Sequence, residues 1–109
     1  MIKDLDDLEQ VLESTKQEGV LLYFSTPQCR VCKVLKPKIH DMLQKHYPKI
    51  EMHFVDTEKI PEASGHFSVF AAPTIILFLD GKEFIRQSRN IGVMELASQI
   101  ERPYSLFFE

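Results

Sequence analysis

The spacing of four strand-like runs does most to limit how this chain can fold. Val20–Ser25, "VLLYFS", and Ile50–Asp56, "IEMHFVD", are separated by a long stretch of helical periodicity from Gln28 or Cys29 to His46. The first run is continuously apolar, as in a strand buried on both faces, and the second alternates with period two. A crossover of that length brings its two strands into parallel pairing. Thr74–Leu79 and Lys82–Ser88, in contrast, are joined only by Asp80-Gly81, the pair that supplies the positive φ angles of a type I′ turn. These two runs form an antiparallel hairpin. One sheet must hold both kinds of pairing, so the chain reads as an α/β fold with a central mixed sheet of four to five strands and helices on both faces.

The other segments fit around that frame. Asp4 is placed to cap a first helix with Leu5, Leu8, Val11 and Leu12 on its inner side, acids Asp6, Asp7 and Glu9 in its early turns, and Gly19 at its end. Met1 to Lys3 can add a stub of strand. In the long helix, Val31, Leu35, Ile39, Met42 and Leu43 keep helical spacing, and Pro37 inside it removes one backbone hydrogen bond and is expected to kink it. A short helix is expected at Pro61–His66, weakened by Gly65. A last helix runs over Val93–Glu101 with Leu96 and Ile100 inward, and Pro103 stops it. Residues 103–109 are then an apolar tail in which Leu106, Phe107 and Phe108 either fold back on the core or anchor a partner, including a second copy in a homodimer. The 109 residues read as one domain, 1–109, without repeat or linker.

Charge and hydropathy narrow the function. Thirteen basic against sixteen acidic residues give a net charge of −3 with no run of one sign, which argues against a partner recognised by phosphate neutralisation, so no nucleic acid is expected. The longest apolar run, Ile75–Leu79, is too short to span a bilayer, and no membrane partner is expected. The N-terminal "MIKDLDDLEQ" carries acids where a secretory leader has an apolar core, which points to the cytoplasm.

The chemistry is concentrated in "FSTPQCRVCKVLKP", Phe24–Pro37, which holds Cys29 and Cys32, the chain's two cysteines. Cys29 falls where a strand ends and a helix begins, near backbone N–H groups that lack helical partners and stabilise an anion. Cys32, three residues on, lies on the same face within disulfide reach. Lowering a thiol pKa from about 8.5 to about 7 requires about 2 kcal/mol. A helix dipole supplies about 0.3–1 kcal/mol, which leaves Arg30, Lys33 and the Cys32 S–H to contribute the rest. Structural zinc wants four ligands, and His40, His46, His53 and His66 form no paired motif with the two sulfurs. No metal and no cofactor are expected; metal held by two C-x-x-C units of a dimer is the competing use.

"CRVCK" with Pro37 five residues after the second cysteine resembles the active-site helix of the thioredoxin family. "VFAAPTIILFLDGKE" is similar to that family's segment carrying a cis-proline and its strand hairpin, and "NIG" before the last helix fits as well. The resemblance covers nearly the whole chain in order and implies a thioredoxin fold. It also implies that Pro73 is cis and lies against Cys29, and that the Ala72 backbone pairs with a substrate segment as an added strand, with Pro73 and Thr74 beside it. Ala71, Ala72, Ile91 and Gly92 would form an apolar docking rim. The implied activity is thiol–disulfide exchange with protein substrates: Cys29 thiolate attacks, and Cys32 resolves the mixed disulfide. A thioredoxin reductase or another electron donor is the implied redox partner.

Three departures from the family pattern stand out. Thr26, Pro27 and Gln28 stand where a tryptophan usually precedes the first cysteine, and the chain has no Trp. Arg30-Val31 replaces Gly-Pro between the cysteines. Tyr23 occupies the strand position where thioredoxins commonly bury an aspartate that takes the proton of the second cysteine, and a phenol with pKa near 10 is a poor base at neutral pH. These departures motivate an alternative, a thioredoxin-fold protein-binding module with little redox turnover. They also imply a mixed disulfide on Cys29 that lives longer than in an ordinary thioredoxin.

Overall fold

The structure, a computed structural model, describes residues 2–108. The elements in chain order are β1 (Lys3–Asp4), α1 (Leu8–Ser14), β2 (Gly19–Ser25), α2 (Arg30–His46), β3 (Glu51–Asp56), α3 (Pro61–Phe67), β4 (Thr74–Leu79), β5 (Lys82–Ser88) and α4 (Val93–Phe108). They build a five-stranded sheet in the order β1-β3-β2-β4-β5. β3 lies parallel to both β1 and β2, while β4 lies antiparallel to β2 and β5. The mixed sheet expected from the crossover and the hairpin is therefore present.

β2 sits at the centre, and all seven of its residues are buried. Its alternation divides the core in two. Leu21 and Tyr23 face a cluster with Cys32, Leu35, Ile39 and Leu43 of α2 and Leu96, Ile100 and Tyr104 of α4. Val20, Leu22 and Phe24 face the opposite cluster with Val11 of α1, Ala63 of α3, Ile76 and Phe78. Helices thus cover both faces, as a strand apolar on both sides requires. Asp80 and Gly81 have φ of 53° and 81°, the pair of positive angles that a type I′ turn demands.

Four features differ from the sequence-based reading. Asp4 does not cap α1: Lys3 and Asp4 pair with His53 and Phe54, and the Leu5 amide donates to the Phe54 carbonyl at 3.0 Å. Asp7 caps instead, its carboxylate accepting from the Gln10 amide at 2.9 Å, and α1 ends at Ser14, with Gly19 opening β2. The strand stub is Lys3–Asp4, and Met1 lies outside the described residues. Val31 does not face inward; it is 64% exposed, and Cys32, about 100° further round the helix, takes the inner place.

The fourth difference is the largest. Pro103 does not stop α4, which continues to Phe108. A proline inside a helix costs about 3 kcal/mol, because the carbonyl four residues back loses its donor and meets the ring. Here that carbonyl belongs to Gln99, an exposed residue, so water can serve it. Beyond the proline, Tyr104 is buried against Tyr47, ring centroids 4.9 Å apart, and its hydroxyl accepts from the Lys49 amide at 3.3 Å. Phe108 packs on Tyr104 at 4.8 Å and on the start of β2, where a Cβ on Gly19 would lie 3.0 Å from its ring. Burying two aromatic rings offsets the cost of the proline. The same logic holds at Pro37, whose missing bond falls on the carbonyl of exposed Lys33.

The tail is consequently split between the two fates considered for it. Tyr104 and Phe108 fold onto the core, whereas Leu106 and Phe107 face outward, Phe107 edge-on to Phe84 of β5 at 6.0 Å.

Candidate active site

β2 delivers the chain to one end of the sheet at Ser25, and the turn Thr26–Cys29, closed by the Cys29 amide donating to the Thr26 carbonyl at 3.2 Å, redirects it into α2. Cys29 is the N-cap residue of that 17-residue helix, and its Sγ accepts from the Cys32 amide at 3.3 Å. This is the helix start at the first sulfur that the sequence places there. Cys29 and Cys32 are joined by a disulfide, with their Cα atoms 5.3 Å apart. Cys32 is only 2% exposed, while Cys29 is partly accessible. The two sulfurs are thus chemically unequal: one at the surface with a backbone donor aimed at it, the other within the core.

Arg30 and Lys33 are both exposed in the first turn of α2. The ion pairs among the described residues are Lys16–Glu13, Lys36–Asp4, His53–Glu51, Lys59–Asp6 and Arg86–Glu83, and none of them uses Arg30 or Lys33. Both cations thus stand without an ion-pair partner in the helix turn that carries the two cysteines. Gln28, where the resemblance leads one to look for tryptophan, sets its side-chain amide against the Glu58 carboxylate, and with the amide oxygen and nitrogen exchanged the nitrogen donates to both carboxylate oxygens, at 2.8 and 3.1 Å.

Under the disulfide lies Tyr23, fully buried, its hydroxyl donating to the Cys32 carbonyl at 2.9 Å. Burial pushes its pKa up to about 12, so at neutral pH it is a neutral donor with no capacity to take a proton. Its ring lies alongside Phe54, 6.3 Å away, and Phe54 in turn carries the Lys36 ammonium 4.0 Å from its ring centre. The position that could have held a base holds a structural hydrogen bond to the backbone of the second cysteine.

The second wall comes from the loop entering β4. Phe24 pairs with Thr74, so Pro73 stands at the level of Ser25, at the end of the sheet from which the cysteine turn departs. The Ala72–Pro73 peptide bond is cis. Thr74 Oγ1 donates to the Ala71 carbonyl at 2.6 Å and shares a hydrogen bond with Ser88 Oγ at 3.0 Å, which holds the loop against β5. Ala72 is exposed and Pro73 buried. Ile91 and Gly92, from the turn before α4, line a shallow groove of about 390 Å³ together with Val31 of the active-site helix.

Two features here were missed in the sequence. Phe70, immediately before the two alanines, is 86% exposed, and Met94 is 85% exposed at the start of α4. A large aromatic residue in a loop next to Ala-Ala-Pro was the available signal. Arg89 has φ of 65°, a left-handed conformation that usually costs a side-chain-bearing residue about 1–2 kcal/mol. Nothing in the sequence marks it. Among the described residues, no group of three or more His, Cys, Asp or Glu side chains could hold a metal ion.

A disulfide-bonded cysteine pair at a helix start, at the same end of a mixed sheet as a cis-proline loop, is the arrangement of a thiol–disulfide oxidoreductase. The family model described as Thioredoxin matches residues 3–102. Thioredoxin-like protein YdfQ of Bacillus subtilis (strain 168) is 34% identical over 86 residues, covering 79% of this chain and 76% of that protein. Thioredoxin of Chlamydia trachomatis is 32% identical over 93 residues, with 85% and 87% covered. The chain spans about half the length of the chloroplast relatives it matches, such as Thioredoxin M2 of Arabidopsis thaliana, at 45% of that chain. Among solved structures, Fasciola hepatica thioredoxin superposes with a TM-score of 0.77 at 28% identity, covering 93% of this chain and 98% of that one. Plasmodium falciparum thioredoxin gives a TM-score of 0.82 with the same coverage at 19% identity, a likeness of fold. The chain belongs to the thioredoxin family.

Proposed function

We propose that the protein exchanges disulfides with protein substrates, Cys29 attacking and Cys32 resolving. The observation that carries this reading is the asymmetry of the pair: a partly accessible sulfur capped by a backbone N–H, bonded to one that is buried. In the reduced protein the Cys29 thiolate attacks one sulfur of a substrate disulfide. The substrate S–S bond breaks, a Cys29–substrate S–S bond forms, and the departing sulfur leaves as a thiolate that takes a proton from water. Cys32, once deprotonated, attacks Cys29 Sγ. This forms the Cys29–Cys32 bond, expels the second substrate sulfur, and completes a two-electron transfer from dithiol to substrate. A reductase or another donor then returns two electrons, in the reducing cytoplasm that the sequence favours.

The roles of the neighbouring residues follow from chemistry. The Cys32 amide and the start of α2 stabilise negative charge on Cys29, and the exposed Arg30 and Lys33 of the same turn add to it. Ala72, Pro73 and Thr74 receive the substrate backbone, with Ile91 and Gly92 opposite. Phe70, Met94, Val31 and Val34 add exposed apolar surface around this region. Tyr23 cannot deprotonate Cys32, which supports slow resolution and a long-lived mixed disulfide.

Reduction of insulin disulfides with dithiothreitol as electron source tests the reading. Activity is expected in the wild type and lost in Cys29→Ser, while Cys32→Ser accumulates a covalent substrate adduct visible by mass spectrometry. Wild-type protein without activity and without an adduct in Cys32→Ser would favour a binding module instead.

A further inference from the structure

Arg89 stands out among the residues around the disulfide. Its backbone is pinned at both polar groups: the amide donates to the Pro73 carbonyl at 2.8 Å, and the carbonyl accepts from the Ile91 amide at 3.0 Å. The first of these bonds ties a non-glycine residue at φ 65°, just past the end of β5, to the cis-proline loop. A residue kept in a conformation that glycine would adopt more readily suggests a use for its side chain. That side chain is exposed, takes part in none of the ion pairs of the described residues, and lines the groove with Val31 and Ile91. Glu95 lines the same groove without pairing to it. Glu58, an acid near the turn, faces the neutral amide of Gln28 and keeps its charge.

Arg30 and Lys33 add two further unpaired cations in the first turn of α2. A chain whose net charge is −3 thus places three positive side chains without ion pairs, Arg30, Lys33 and Arg89, against two carboxylates, Glu58 and Glu95, at the end of the sheet that carries its disulfide, a local excess of positive charge. Charge of one sign at the rim of a docking surface steers partners of the opposite sign and repels those of the same sign. Resting on the exchange reading above, we propose that Arg89, with Arg30 and Lys33, selects protein disulfides flanked by acidic residues, Arg89 meeting the substrate carboxylates beside the cis-proline loop.

The test uses pre-reduced full-length protein in single-turnover reactions with three synthetic cystine peptides. They are identical except for flanks of Glu, Gln or Lys. The Glu-flanked peptide is expected to react about tenfold faster than the Lys-flanked one at low salt, equivalent to about 1.4 kcal/mol. The ratio is expected to shrink several-fold at 0.5 M salt, where screening acts within roughly 4 Å. Arg89→Glu should cut the low-salt ratio at least threefold, and Arg89→Lys should keep it. A wild-type ratio near one with the Gln-flanked peptide still reacting would overturn this proposal alone. So would a ratio that Arg89→Glu leaves intact. Failure of all three peptides to react would overturn the exchange reading and this one with it.

Discussion

Replacing Tyr23 by Phe isolates the feature in which this site departs most from its family. The substitution removes one hydroxyl and leaves the ring beside Phe54 in place. What is lost at pH 7 is the 2.9 Å bond to the Cys32 carbonyl, worth about 0.5–1.5 kcal/mol. For a chain of this size that is about 4–8 °C in melting temperature per kcal/mol. The effect changes with pH in a defined direction. Folding raises the phenol pKa from 10.0 to about 12, so the stability tied to the neutral phenol is fully present below pH 10 and is lost as pH rises through 12. By about pH 11 the wild type has given up about 1.4 kcal/mol that the Phe variant cannot lose, roughly the value of the hydrogen bond. The stability order of the two proteins is therefore expected to cross near that pH. Urea unfolding of both oxidised proteins at pH 7, 10 and 11 measures it. The rate at which Cys32 resolves a trapped mixed disulfide should, in the same pair, agree within about twofold at pH 7, because a phenol with this pKa moves no proton there. A pH-independent stability difference would refute the buried-phenol argument. A Phe variant that resolves tenfold more slowly would show Tyr23 acting in the chemistry after all.

Further perturbations probe the frame that holds the site. His53 is buried, its Nδ1 has no hydrogen-bond partner, and burial holds its pKa below the usual histidine value, with nearby Glu51 opposing. Its contribution to stability is present above the ordinary pKa of 6.5 and lost as pH falls through the lower folded value, so His53→Gln should flatten the fall in urea midpoint between pH 7.5 and 5. Tyr104→Ala removes a buried ring beyond Pro103 and should cost about 3–5 kcal/mol by urea unfolding, whereas Leu106→Ser on the outer side of the same turns should change stability by less than about 0.5 kcal/mol. Gly81→Ala places a side chain at φ 81° in the hairpin turn and should cost about 1 kcal/mol, with dithiothreitol-driven insulin reduction unchanged.

Much of the site was legible before the structure because it is built from local signals. A strand of unbroken apolar residues, a helix starting at a cysteine, and Asp-Gly between two strands each depend on a few neighbouring residues. Thr74–Leu79, Lys82–Ser88 and the placement of Cys29 and Cys32 at the head of α2 followed from them. The resemblance added the cis bond at Pro73, which no propensity discloses.

What escaped was decided by contacts distant in the chain. Asp4 has the chemistry of a helix cap, yet its segment is paired to β3 through residues some fifty positions away. Pro103 has the chemistry of a helix stop, yet Tyr104 and Phe108 find Tyr47, Lys49 and Gly19 beneath them and carry the helix past it. The proton chemistry of Tyr23 depends on the core that closes over it, and the backbone of Arg89 on a carbonyl from the neighbouring loop. Sequence by itself determined the four longer strands, the turn and the place of the two cysteines at a helix start, because periodicity and turn geometry act over a few residues. Only the tertiary structure decided where the last helix ends, which acid caps the first, and what surrounds the disulfide, because those outcomes weigh local cost against burial contributed from elsewhere in the chain.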